Sequence, residues 1–175
     1  MKVKLAKHER AILGLCEIFY RRQYTKLKHD AIQNMLYLLY RKGIHVKSYL
    51  YLCNAKGPHS AELEADLKAL DAKQDLIMDF YDAELTIHAV SAAYLAAAEC
   101  IREVLQFENE SDIIVWAAML AALSCLAEHE STGNNPIVVC NRYIIMKPNA
   151  DYESVKRAWQ VLDDAKMTFL NDGNG

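Results

Sequence analysis

Leu5, Ile12, Leu13, Leu15, Cys16 and Phe19 recur at helical spacing and predict a helix over residues 3–21. Residues 23–25 read as a short turn. A second helix follows over 26–42, with Ile32, Met35, Leu36, Leu38 and Leu39 inward and Gly43 as its C′ residue. So short a connection predicts antiparallel packing of the two helices. Residues 49–53, YLYLC, are rich in aromatic and aliphatic side chains and read as a strand. The stretch Lys56-Gly57-Pro58-His59-Ser60 then breaks the chain. Ser60 is the expected N-cap of an acidic helix, with Glu62 and Glu64 in its first turn and Leu63, Leu67 and Leu70 as its apolar stripe. Residues 75–81, DLIMDFY, read as a second strand.

Beyond residue 83 the pattern turns wholly helical. Residues 84–107 are rich in alanine, at 89, 92, 93, 96, 97 and 98. Residues 107–110 are a polar break, with Ser111 or Asp112 as the next cap. The run 113–127 is the most apolar in the chain, and at 15 residues it falls short of the roughly 20 that span a bilayer. It reads as a buried core helix over 112–129. A loop over 131–136 precedes an apolar segment, 137–146, for which a helix is favoured. Lys147-Pro148 breaks the chain again. Asp151 caps a last helix to about Met167 that faces inward through Val155, Ala158, Trp159 and Leu162. The fold class expected is α+β and mainly helical: a winged-helix-like half with a short two-stranded sheet over 1–82, packed on a helical half over 83–175.

Composition adds three points. With 53% apolar residues among 175, the chain can bury a sizeable core. Its five cysteines are scattered, without a C-x-x-C pair, and read as buried reduced thiols of a cytoplasmic protein. The apolar stretch 11–20 is interrupted by Glu17 and followed by Arg21-Arg22, which suits an amphipathic helix rather than a signal peptide. Charge is polarised. Residues 1–47 carry eleven Lys/Arg against three acids, or +8, so the remainder carries −11 within a net −3. That polarity either offers a basic face to a partner or lets the two parts complement each other.

Several segments together resemble a known family. Residues 32–38, IQNMLYL, resemble the LQKLVYLL helix of the uncharacterised prokaryotic YwgA-like proteins. Residues 56–67, KGPHSAELEADL, resemble their YGPYSEELEEDL turn and helix. Residues 116–123, and Lys147-Pro148 through Ala158-Trp159, are similar to two later elements. Panacea-type antitoxin domains share the Gly-Pro-Tyr-Ser-like turn before an acidic helix. The likeness runs in order over 28–165, with Lys56 and His59 where the family has Tyr, and Asn34 where it has Lys. It implies a winged-helix-like front half and a helical back half. It implies no catalytic activity, and the Panacea analogy implies a toxin-neutralising role.

The chemistry readable from the residues is sparse. Glu84 and His88, Glu99 and Glu103, and Glu128 and His129 are the nearest approach to a carboxylate–histidine metal set, but no Glu-x-x-His occurs and no metal site is assigned. No nucleophile elbow, Walker loop or dinucleotide fingerprint is present. The expected function is therefore a non-enzymatic interaction or regulatory module, antitoxin- or adaptor-like and without a cofactor. Its partner, a protein, would meet Lys56, Gly57, Pro58, His59, Ser60, Tyr49 and Tyr51. The alternative is a nucleic-acid-binding regulator using Arg21, Arg22, Lys26, Lys28, Arg41 and Lys42. The acidic helix after the turn disfavours groove entry, because phosphates repel it. A metal-dependent enzyme is the third reading. No membrane association is expected, and a homo-oligomer stays open.

Overall fold

The computed structural model describes residues 4–83, 92–106, 113–129 and 135–168. Its elements run α1 (Lys7–Tyr20), a 3-10 turn (Tyr24–Lys26), α2 (His29–Arg41), β1 (Leu52–Asn54), β2 (Gly57–His59), α3 (Ala61–Asp71), α4 (Gln74–Asp82), α5 (Ala92–Val104), α6 (Ile113–His129), α7 (Pro136–Met146) and α8 (Tyr152–Asp164). The fold is mostly helical, with a small two-stranded antiparallel sheet near mid-chain.

Two helices are buried on nearly every side. In α2, Ala31 through Leu39 are all inside; in α6, Met119 through Ala127 are. Helix α6 is apolar nearly all round, has no solvent face to offer and so goes to the centre, whereas α2 takes the polar side chains of Gln33 and Asn34 inside with it. The two central helices pack on each other, and the rest sheathes them: α5 lies against α1, α7 and α8 against α6, and the hairpin against both α2 and α6. Buried residues from Ile12 to Met167 join in one core cluster. Among the described residues no helix is long and apolar enough to cross a membrane.

This arrangement corrects the expected pairing of the first two helices. The main neighbour of α1 is α5, and that of α2 is α6. The connection is more than a simple turn: Tyr20 and Tyr24 fold inward around it, and the Tyr20 hydroxyl donates to the Ala31 carbonyl at 2.7 Å. Gly43 does end α2, at φ +80°. The N–H groups of Gly43 and Ile44 bond back to Tyr40 and Leu39, and Ile44 is buried.

The second correction concerns residues 75–81, which form helix α4 instead of a strand. Leu76, Ile77, Phe80 and Tyr81 fall at i, i+1, i+4 and i+5, a helical face, while Asp75, Asp79 and Asp82 point to solvent. The true partner of β1 lies inside the supposed corner. Leu52 pairs with His59, Cys53 with Pro58 and Asn54 with Gly57. Ala55 and Lys56 make a two-residue turn, in which the Asn54 side chain accepts from the Lys56 N–H at 2.8 Å. Antiparallel pairs alternate between bonded and non-bonded, so the pair next to the closing one requires no N–H from Pro58.

The caps read from sequence are present. Ser60 Oγ accepts from the Leu63 N–H at 3.3 Å and Asp151 from the Ser154 N–H at 2.8 Å. Helix α7 starts at Pro136, earlier than read, with Asn135 as its cap. The expected caps Ser111 and Asp112, and residues 84–91 of the alanine-rich segment, lie outside the described residues.

Candidate functional site

The turn motif packs inward. Gly57, at φ +118°, sits where any Cβ would meet Asn34 Oδ1 at 3.3 Å and the Ala122 Cβ at 3.8 Å. Glycine there lets the hairpin close onto both central helices. Gln33 clamps the next step: its amide accepts from the Ser60 N–H at 3.0 Å and donates to the Ser60 carbonyl at 3.1 Å. Of the residues expected to meet a partner, Gly57, Pro58, Ser60, Tyr49 and Tyr51 are buried, His59 is half-buried, and Lys56 alone is exposed.

The segment before the hairpin keeps the two-residue alternation of a strand, with the opposite outcome to the one the aromatics suggest. Tyr49 and Tyr51 turn in; Leu50 and Leu52 turn out, at 74% and 65% exposed. Inside, the Tyr51 ring packs on Tyr37 and Tyr40 with centroids 5.3 and 5.6 Å away. The Tyr49 hydroxyl donates to Asp66 at 2.9 Å, where Lys47 also arrives at 2.7 Å. Burial, and the Asp66 carboxylate bonded to it, push the Tyr49 hydroxyl pKa up. Desolvation raises the Asp66 carboxyl in turn, but the Lys47 and Tyr49 bonds outweigh it and hold the group below its usual range. The signal for the exposed leucines was the alternation itself, which sequence reasoning weighed less than the tyrosines.

The basic residues divide. Arg21, Lys26 and Lys28 are exposed and Arg22 half-buried at the corner between α1 and α2. Arg41 and Lys42 are engaged internally. Arg41 bonds the Met167 carbonyl at 3.0 Å and pairs with Glu128 at 3.3 Å; Lys42 donates to the Ala165 carbonyl at 2.6 Å. Together they satisfy carbonyls just past the end of α8, where cations are favoured.

Behind the hairpin lies an open cleft of about 340 Å³, lined by Cys53, Asn54, Ala55, Leu126, His129, Arg142, Ile145 and Met146. Cys53 and, from α6, Cys125 and His129 bring their donor atoms within 4.8 Å of one another. The bond with the Cys53 thiol, and then burial, push the Cys125 thiol pKa up. The carboxylates read as metal candidates do not gather here. Glu99 and Glu103 are exposed on α5, Glu128 accepts from Tyr37 at 2.7 Å, and Glu84 and His88 lie outside the described residues. A search for C-x-x-C missed this set, because Cys125 and His129 are four apart on a helix and Cys53 comes from a distant strand. The thiols are not uniformly buried either: Cys53 is half-buried and Cys100 exposed.

Comparison with family models, with curated proteins and with solved structures found no match.

Proposed function

We propose that the chain is a non-enzymatic interaction module, of adaptor or antitoxin-like kind, that engages a protein partner through the outward face of its hairpin and the extended segment leading into it. The observation that supports this reading is Leu50 and Leu52, two large apolar side chains held side by side in solvent by buried tyrosines. Exposed leucines on a rigid support suit the apolar centre of an interface, and exposed Lys47, Lys56 and Glu62 suit its polar rim. We keep the winged-helix-like reading of residues 1–82 in a loose sense, as a short hairpin beside a helical set.

The experiment is co-purification from native cells of the wild type and of a Leu50→Asp/Leu52→Asp variant. Both side chains are exposed, so the variant is expected to melt where the wild type does. The reading predicts a protein retained stoichiometrically by the wild type and lost by the variant. A retained protein that ignores the double substitution, or no retained protein, defeats it.

The exposed corner of Arg21, Lys26 and Lys28 favours a second reading, a nucleic-acid-binding regulator. It predicts binding to duplex DNA or RNA at low salt that weakens steeply as salt rises. Indifference at low salt removes it.

A further inference from the structure

Cys125 and His129 stand four residues apart on α6 and so project from one face. Cys53 reaches toward them from β1, because the pleat that turns Leu52 and Asn54 outward turns residue 53 inward. The Cys125 sulfur and His129 Nδ1 are 3.9 Å apart, and all three donors lie within 4.8 Å of one another. Around a tetrahedral zinc ion, with bonds of about 2.3 Å to sulfur and 2.0–2.1 Å to nitrogen, such donors sit roughly 3.5–3.8 Å apart. The set would need to close by up to about 1.3 Å.

We propose that Cys53, Cys125 and His129 form a zinc(II) site whose fourth position faces the cleft behind the hairpin. Two sulfurs and an imidazole are the donor set that selects a borderline-soft cation over magnesium or calcium. The charges balance: zinc displaces one proton from each thiol to solvent, and two thiolates with a neutral imidazole cancel the dication. No oxidant is needed. His129 Nδ1 now lies 2.9 Å from the Cys125 carbonyl oxygen. Metal binding exchanges that contact for a zinc–nitrogen bond and leaves the ring proton on Nε2. The cleft supplies the entry path and room for a water as fourth ligand. The ion would pin β1 to α6, and hence hold the hairpin that carries Leu52 and follows Leu50. The site stands independently of whether that face docks a partner.

The test uses the full chain in a Cys100→Ser background, which removes the exposed thiol, purified reduced and metal-free. Cobalt(II) is titrated first and then displaced by zinc. The expected result is thiolate-to-metal charge-transfer absorption with tetrahedral ligand-field bands, saturating at one ion per chain. Cys53→Ser and His129→Ala should each lower zinc affinity by on the order of a hundredfold or more. Zinc should also raise the melting temperature of the parent and not of these variants. Cys53 and His129 both keep solvent contact, so their variants carry the test even if Cys125→Ser fails to fold. A folded parent without the charge-transfer band overturns the proposal. So does zinc binding undiminished in the Cys53→Ser/His129→Ala variant, or copper(I) binding without zinc binding.

Discussion

The Tyr51 hydroxyl is buried and, among the described residues, has no hydrogen-bond partner. Its ring supplies the packing; its oxygen contributes only a desolvation cost. Tyr51→Phe should therefore be neutral or stabilise by up to about 1 kcal/mol, measured by urea unfolding. A loss beyond that range would mean that the hydroxyl has a partner in solution. Gly57 is the opposite case. At φ +118°, with Asn34 Oδ1 3.3 Å from where a Cβ would stand, the position excludes side chains on two grounds. Gly57→Ala should cost about 1–3 kcal/mol, seen as an earlier urea midpoint with an unchanged slope. The Gly-Pro pair was legible as a chain break, but what surrounds it was not. Nothing local to residues 56–60 says that Asn34 and Ala122 come from two other elements to meet the glycine.

At the scale of elements, α3 is fastened on both sides through its acids. Asp66 receives Lys47 and Tyr49 from the hairpin approach, and Glu64 and Asp71 share His29 of α2 at 3.2 and 2.9 Å. Desolvation raises the Glu64 carboxyl, yet the His29 bond and Lys68 hold it below its ordinary range, as Lys47 and Tyr49 hold Asp66. A carboxyl whose folded pKa is depressed stabilises fully above its unfolded pKa, about 4. That contribution is lost as pH falls through the folded value. Urea midpoints should thus fall as pH drops below about 4, and fall less in Asp66→Asn, which has no such carboxylate to lose. Equal acid sensitivity of the variant would contradict this account. Helix positions followed from periodicity wherever one face was apolar, as in α1, α3 and α8. At α4 the strand reading rested on a run of seven residues, too short for length to separate strand from helix, and the i, i+4 spacing of Ile77 and Tyr81 is what marks the helix.

For the whole molecule, the charge polarity visible in the sequence is met in part within the fold, while Arg21, Lys26 and Lys28 stay exposed. Basic residues of the first 47 meet acids and carbonyls further along: Lys47 meets Asp66, Arg41 meets Glu128, and Lys42 meets the Ala165 carbonyl. The traffic also runs the other way, with Glu9 buried against Lys73 at 2.6 Å. How the +8 and −11 segments meet is not legible in composition, because it depends on which helices become neighbours. Packing α2 between α6 and the hairpin brings its cations to acids that are up to 87 positions away in the case of Glu128. A chain whose oppositely charged parts attract in the folded state should be weakened by screening. At pH 7, urea midpoints should fall between about 0.02 and 0.3 M sodium chloride, as the Debye length drops below 10 Å. Chloride suits this better than sulfate, which strengthens burial and would mask the effect. Lys47→Met should flatten the salt response, because it removes an attractive pair that solvent reaches, whereas Arg41→Met should lower stability with little change in that response, because its pair with Glu128 is nearly buried and weakly screened. A midpoint that rises with sodium chloride would instead mean net repulsion in the folded chain, and would return the basic N-terminal surface to the role of a contact for an acidic partner.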